Sequence, residues 1–315
     1  MIKIVVGQND VNKRLDNFLL SYINKIPKSL VCKLIRKKRV KVNGKKSLSN
    51  YRLNESDVIS VYVKDEMLDS KSKSDDFFGV NSYLNIVYED QNILIINKPS
   101  GLICHPDDKN KIDCLINRIK KYLFEKGEYD FFSENVFSPS LVNRIDRNTQ
   151  GLVIAAKNSE SLKILNEKIK NREIKKYYKC LVHGKPEKFE DTMTAFLTKD
   201  SENNKVSISK SKSHDSRMIK TKYKILEFKN NTSLLEIELL TGRCHQIRAH
   251  LAYIGNPIIG DKKYGFKSKN CKYQALISYK IRFEFSTTAK NLDYLNLKEF
   301  EIKNSSEILE RFRVR

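Results

Sequence analysis

The chain has no apolar run approaching the roughly 18 residues that a membrane-spanning helix requires. Its opening stretch, Met1 to Gly7, is too short and lacks the small-residue cleavage site of a secretory signal; it reads as a first strand. No basic amphipathic segment stands free of competing structural signals, which removes a membrane surface as the natural partner. The six cysteines contain no C-x-x-C pair, so neither a zinc knuckle nor a disulfide framework is expected; free thiols in a reduced, cytoplasmic setting fit them better. G-x-G-x-x-G and P-loop patterns are missing, as are internal repeats and coiled-coil heptads, and a monomer is expected. Acidic residues are the scarce charge. Asp and Glu number 38 against 60 Lys and Arg, a net +22, and a surface that repels itself this strongly implies attraction to an anion, nucleic acid first.

What is present suits a folded enzyme. A length of 315 residues with 40% hydrophobic content, 15 Phe and 15 Tyr allows one large body and a smaller accessory unit. Leu15, Phe18, Leu19, Tyr22 and Ile23 recur at the spacing of one helical stripe. After Pro27, Ser29 is placed to cap a second helix whose Val31, Leu34 and Ile35 face inward while Lys33, Arg36, Lys37 and Lys38 face out. Val40 to Val42 alternates like a strand and runs into Asn43-Gly44, a tight-turn signal, and Asp57 to Val63 alternates again. Residues 1–64 hold 15 Lys/Arg against 4 Asp/Glu, the composition of a phosphate-binding face.

Residues 65–82 open with alternating charges and serines and read as a linker. From Tyr83 to residue 315, strand signals dominate: Ile93–Ile96, Leu152–Ala156, Tyr178–Val182, Thr221–Leu226 and Leu234–Leu240, with helical patterns chiefly at Ile112–Phe124 and Ser159–Ile169. Strands and helices do not alternate regularly, which predicts an α+β fold with a mixed, largely antiparallel sheet rather than a doubly wound one.

Two segments carry chemistry. In Asn143-Arg144-Ile145-Asp146-Arg147-Asn148-Thr149-Gln150-Gly151, a carboxylate lies between two arginines ahead of a turn into a strand. By residue type Asp146 reads as a turn aspartate in a surface ion pair, but cationic neighbours also favour the ionised form that a nucleophile needs. The second segment is Leu240-Thr241-Gly242-Arg243-Cys244-His245-Gln246-Ile247-Arg248-Ala249-His250-Leu251, a strand end, a turn at Gly242 and a helix. His245 and His250 are five apart and so on different helix faces, unlike the paired histidines of a zinc protease; no metal site is expected. Adjacent side chains point apart, which argues against a Cys244–His245 dyad.

These segments, with Tyr88-Glu89-Asp90, Asn97-Lys98-Pro99-Ser100-Gly101-Leu102, Lys176-Tyr177-Tyr178 through His183-Gly184, Thr221-Lys222-Tyr223, Gly255-Asn256-Pro257 and Gly260-Asp261-Lys262-Lys263-Tyr264-Gly265, stand in an order that resembles the pseudouridine synthases of the large ribosomal subunit. The N-terminal unit resembles the S4 RNA-binding domain in Arg14-Leu15-Asp16, Val40-x-Val42-Asn43-Gly44 and Asp57-Val58-Ile59. The resemblance implies Asp146 as the catalytic carboxylate, Tyr178 against the target base, Arg248 paired with Asp146, and Arg144 entering the RNA where the base leaves. It places Arg147, Thr149, Arg243, His245 and Gln246 among the substrate-binding residues, and Lys28, Ser29, Lys33, Arg36, Lys37, Lys38 and Arg39 as S4-type RNA contacts. The sequence departs from the common family pattern at Asn143, where many members have His, at Gln150, and at Leu276-Ile277-Ser278.

The implied reaction cuts the bond between uracil N1 and ribose C1′, turns the base and rejoins it through C5. Product and substrate are isomers, so no cofactor is required. Asp146 would act near C1′, either attacking it or taking a proton from C2′. The expected partner is RNA, 23S ribosomal RNA or a ribosome-assembly intermediate before tRNA. A catalytically inactive assembly factor and a helix-based DNA-binding regulator are the rival classes.

Overall fold

The computed structural model describes residues 1–23, 26–63, 76–107, 112–131, 136–200, 205–265, 271–310 and 312. The N-terminal unit is a four-stranded antiparallel sheet of β1 (Ile2–Val5), β2 (Val40–Val42), β3 (Lys45–Lys46) and β4 (Val58–Val61), in the order β1-β4-β2-β3. Helices α1 (Leu15–Tyr22) and α2 (Lys28–Arg36) complete it. The apolar stripe of α1 is buried as its spacing predicts: Leu15, Phe18 and Leu19 share a core with Val31, Ile35, Val40 and Ile59. Ser29 does not cap α2. Pro27, already held in the extended conformation of an N-cap, takes that position, and its carbonyl accepts the amide of Leu30 at 2.9 Å. Asn43 and Gly44 both have positive φ, the geometry of a two-residue hairpin turn. Asn43 also receives the Val58 amide at 2.8 Å and donates to Asp57 at 2.7 Å, locking the turn to β4.

The large body is an 11-stranded sheet. Its strands in chain order are β5 (Ile86–Glu89), β6 (Ile93–Lys98), β7 (Ser140–Leu141), β8 (Gln150–Ala156), β9 (Ile174–His183), β10 (Glu190–Asp200), β11 (Lys205–Ser209), β12 (Arg217–Lys229), β13 (Thr232–Leu239), β14 (Leu276–Phe283) and β15 (Glu299–Glu301). The main path runs β11-β10-β12-β13-β9-β14-β8-β6-β5, with β15 on β14 and β7 on β8. Among the described residues only β14 and β8 pair in parallel, so the sheet is mixed and largely antiparallel, as expected. That parallel join requires Gly151: its φ is +133°, and a Cβ there would stand 2.3 Å from the Ser278 carbonyl oxygen.

Both faces of the centre are covered. On β6 and β8, Ile93, Ile95, Leu152 and Ile154 belong to one core, shared with Ile164 and Leu165 of α4 (Ser159–Lys170). Leu94, Ile96, Val153 and Ala155 face the opposite core with Leu115, Ile119 and Leu123 of α3 (Leu115–Glu125). Burial of both sides explains why these strands read as continuous apolar runs. Residues 65–75 of the expected linker lie outside the described residues. Its far end forms a short 3-10 turn at Asp76–Gly79, and Phe77 of that turn is buried beside Phe124 and Phe131. The remaining helices are α5 (Gln246–Tyr253) and α6 (Ser305–Glu310). The two bodies touch where the Asn9 side chain accepts the Ser159 amide at the start of α4, 3.1 Å away.

Candidate active site

The expected segments converge over the middle of the sheet, where β8 begins level with Lys179 of β9 and β13 ends beyond the level of Tyr177, on either side of Tyr178. The loop from β7 into β8 carries Asp146, the loop from β13 into α5 carries Arg243 to His245, and β9 passes between them with Tyr178 paired to Ile237 of β13 and Ser278 of β14. Together with the loop after β6, they line a cavity of about 530 Å³ that includes Arg144, Asp146, Arg147, Tyr178, His245 and Arg248.

Arg248 is the centre of the arrangement. Its Nη1 donates to Asp146 Oδ2 at 2.8 Å, while Nε and Nη2 make a bidentate pair with Asp261 at 2.7 and 2.9 Å. Asp261 is completely buried and also accepts the amides of Lys263 at 2.9 Å and Tyr264 at 3.3 Å. Burial alone would lower the pKa of Arg248; its two carboxylate partners, Asp261 first, raise it instead, and the charge is permanent. The Asp146 side chain keeps 27% exposure and opens toward the cavity.

Tyr178 is buried, and that burial pushes its phenol up to about 12, so it presents a neutral ring to the cavity. His245 stands at the head of α5 in a left-handed conformation, its Nε2 4.0 Å from Asp146 Oδ2. Burial, with Arg248 and Lys263 nearby, lowers its pKa and outweighs the opposing pull of Asp146, which keeps the imidazole neutral near pH 7. His250 goes elsewhere: its ring faces Thr221 at 3.0 Å, and burial depresses it to about 4. The two histidines are thus separated, in line with their spacing.

Arg144 and Arg243 are exposed at the cavity rim, and Arg147 is half-buried and reaches Asp107 at 2.5 Å. Two expected substrate contacts turn inward instead. Gln246 is 2% exposed and its amide is fully engaged, accepting from Thr241 and the Arg243 amide and donating to the Lys220 carbonyl and Thr221. Thr149 is also 2% exposed; its hydroxyl accepts from Gln274 at 3.0 Å and its amide donates to the Asp146 carbonyl at 3.1 Å. Both form part of the cavity wall, but these bonds commit the Gln246 amide and the Thr149 hydroxyl oxygen to holding the loops. Asn143, the departure from the common pattern, accepts the Ile154 amide at 2.8 Å and so anchors the Asp146 loop to β8.

Sequence reasoning assigned no role to several residues of the site. Lys98 is fully buried and donates to the carbonyls of Pro99, Leu102 and Arg147 at 2.7 to 3.0 Å, tying the loop after β6 to the Asp146 loop; burial brings it down to about 8. Lys176 and His105 line the cavity, and burial lowers both. Asp261 and Tyr264 lie in the segment from Gly260 to Gly265, but their contacts run to Arg248, 13 residues away from Asp261, and no local pattern reveals them. In the N-terminal unit, Lys28, Ser29, Lys33, Arg36, Lys37, Lys38 and Arg39 are all exposed. Lys33 and Arg36 border a groove of about 350 Å³ with Lys46. Among the described residues, no helix is long and apolar enough to cross a membrane.

Comparison with known proteins agrees with this geometry. Residues 92–253 match the family model for RNA pseudouridylate synthase and residues 13–59 that for the S4 domain. An RNA pseudouridine synthase of Mycoplasma capricolum is 37% identical, over 99% of this chain and 100% of its own. The ribosomal large subunit pseudouridine synthase C of Buchnera aphidicola is 32% identical over 83% of this chain and 80% of its own. Among solved structures, the human protein RNA pseudouridylate synthase domain containing 4 superposes with a TM-score of 0.56 at 18% identity, over 73% of this chain and 94% of its own, a likeness of fold. Family, relatives and architecture point the same way: the chain belongs to the RNA pseudouridylate synthases, isomerases of RNA uridines, and carries an S4 domain ahead of its catalytic body.

Proposed function

We propose that the protein converts uridines of 23S ribosomal RNA to pseudouridine in the cytoplasm, with Asp146 as the reacting carboxylate. The observation that carries this reading is the asymmetry around Arg248: one carboxylate locks the guanidinium, and the other, Asp146, is aimed by it into a basic-rimmed cavity. A half-open carboxylate fixed against a permanent cation is pre-oriented for work at a ribose C1′, whether by direct attack or by proton removal from C2′. Tyr178, as a neutral phenol, provides a flat apolar face for the detached uracil; its raised pKa makes it a poor proton acceptor at neutral pH.

A uracil must leave its stack to reach this cavity, and the distorted RNA needs positive charge around the opening. Arg144, Arg147 and Arg243 are placed to supply it, with Thr149 and Gln246 holding the loops that present them. Residues 1–64 form the S4-like unit, which would grip flanking RNA through Lys28, Ser29, Lys33, Arg36, Lys37, Lys38 and Arg39; the catalytic body begins near residue 83. The Buchnera relative's name favours ribosomal RNA as the target.

The test is to map pseudouridines in rRNA and tRNA from cells lacking the gene, complemented with wild type or with Asp146→Asn. The reading predicts 23S rRNA sites that vanish on deletion and return only with wild type. Loss confined to tRNA would redirect the substrate assignment, and no lost site at all would favour an inactive assembly factor.

A further inference from the structure

Tyr264 stands where three parts of the site meet. Its hydroxyl accepts the Val206 amide at the start of β11, 2.9 Å away, and lies 2.8 Å from Nδ1 of His245. Its own amide reaches Asp261, and the Arg248 guanidinium lies 5.2 Å from its ring centre. The rings of Tyr264 and His245 meet edge to face, 5.5 Å between centres. Burial pushes the phenol up to about 12, so its proton is in place.

A phenol has one proton to give. With its oxygen already accepting from Val206, the geometry that satisfies both neighbours sends that proton to His245 Nδ1. A neutral imidazole that accepts at Nδ1 carries its hydrogen on Nε2, the nitrogen that faces Asp146 Oδ2 at 4.0 Å. We propose that Tyr264 is a positioning residue that holds His245 in the Nε2–H tautomer, so that the Asp146 carboxylate is oriented from two sides, by Arg248 and by His245. At 4.0 Å the second contact is an N–H dipole aimed at a charge rather than a hydrogen bond; it limits how far the carboxylate swings while the ribose approaches. This inference rests on Asp146 being the reacting group.

The test is a double-mutant cycle with Tyr264→Phe, which keeps the ring and removes only the hydroxyl, and His245→Ala. Turnover is read as tritium release from unmodified, 5-tritiated transcripts of the source cell's large-subunit rRNA and tRNAs, with Asp146→Asn run alongside. Tyr264→Phe should lower kcat about tenfold with KM unchanged. The double variant should be no slower than His245→Ala, because the hydroxyl acts through that ring. Losses that multiply, or wild-type kcat in Tyr264→Phe, overturn the proposal. Nitrogen NMR of the wild-type His245 ring provides a check that needs no variant: Nε2–H is expected, and Nδ1–H contradicts it. Turnover by Asp146→Asn would instead overturn the underlying assignment, a separate outcome.

Discussion

Two carboxylates meet the guanidinium of Arg248. Asp261 does so through two bonds, at 2.7 and 2.9 Å, with no exposure; Asp146 does so through one bond of 2.8 Å with 27% of its side chain exposed. A buried ion pair whose remaining acceptors are met by backbone amides is a strut: it fixes where the cation stands, and removing either partner strands a charge in the interior. A carboxylate held by a single bond beside open space keeps lone pairs for a ligand. One arginine thus holds a buried strut on one edge and, on the other, the open carboxylate proposed to react.

The largest break in that comparison is Arg248→Met. It leaves Asp261 buried without its cation and should destabilise the fold by about 3–5 kcal/mol in urea unfolding, with turnover lost as well. Asp261→Asn should be milder, about 2–3 kcal/mol, since the amide oxygen still accepts one guanidinium bond.

The Asp261 strut should also show itself by pH. Burial pushes the pKa of Asp261 up, but Arg248 and the backbone amides more than reverse this, leaving it below the ordinary aspartate value. A carboxyl depressed by folding contributes stability that is fully present above its unfolded pKa of about 4 and is lost as pH falls through the folded value. Wild type should therefore lose this contribution progressively below about pH 4. In thermal melts against pH, Asp261→Asn should flatten that acid limb. An unchanged limb in Asp261→Asn would contradict its role as the strut.

The smallest effect is expected far from the pair. Replacing Lys33 and Arg36 with Ala should weaken RNA binding, reduce the slope of log affinity against log salt by about two, and leave melting and saturated kcat unchanged. An equal fall in kcat would mean that the S4 unit takes part in shaping the cavity.

Much of this arrangement was legible in the sequence. Arg144, Asp146, Tyr178, His245 and Arg248 line one cavity, although they come from three separated segments. Strands buried on both faces, such as β6 and β8, announced themselves as apolar runs. β10 did not: its buried Met193, Ala195 and Leu197 alternate with Thr, Phe and acidic residues, so the period-two signal is diluted on a sheet face open to solvent. Gln246 and Thr149 were expected to meet substrate because their segments adjoin Asp146 and Arg248; both line the cavity, but they are almost fully buried and bond chiefly to neighbouring loop and strand groups. The pairing of Asp261 with Arg248 could not be read: Gly255-Asn256-Pro257 marks a turn after α5, but local residues do not say that the chain beyond it returns Asp261 to the guanidinium.

On the proposed function, the Asp146 carboxylate performs the reaction and does little else. Purified wild type and Asp146→Asn, given the RNA whose pseudouridines vanish on gene deletion, test it directly through single-turnover product formation and RNA dissociation constants measured side by side. Asp146→Asn should form product at least about 10⁴-fold more slowly, with affinity within about threefold of wild type. Product formation at a comparable rate would contradict it.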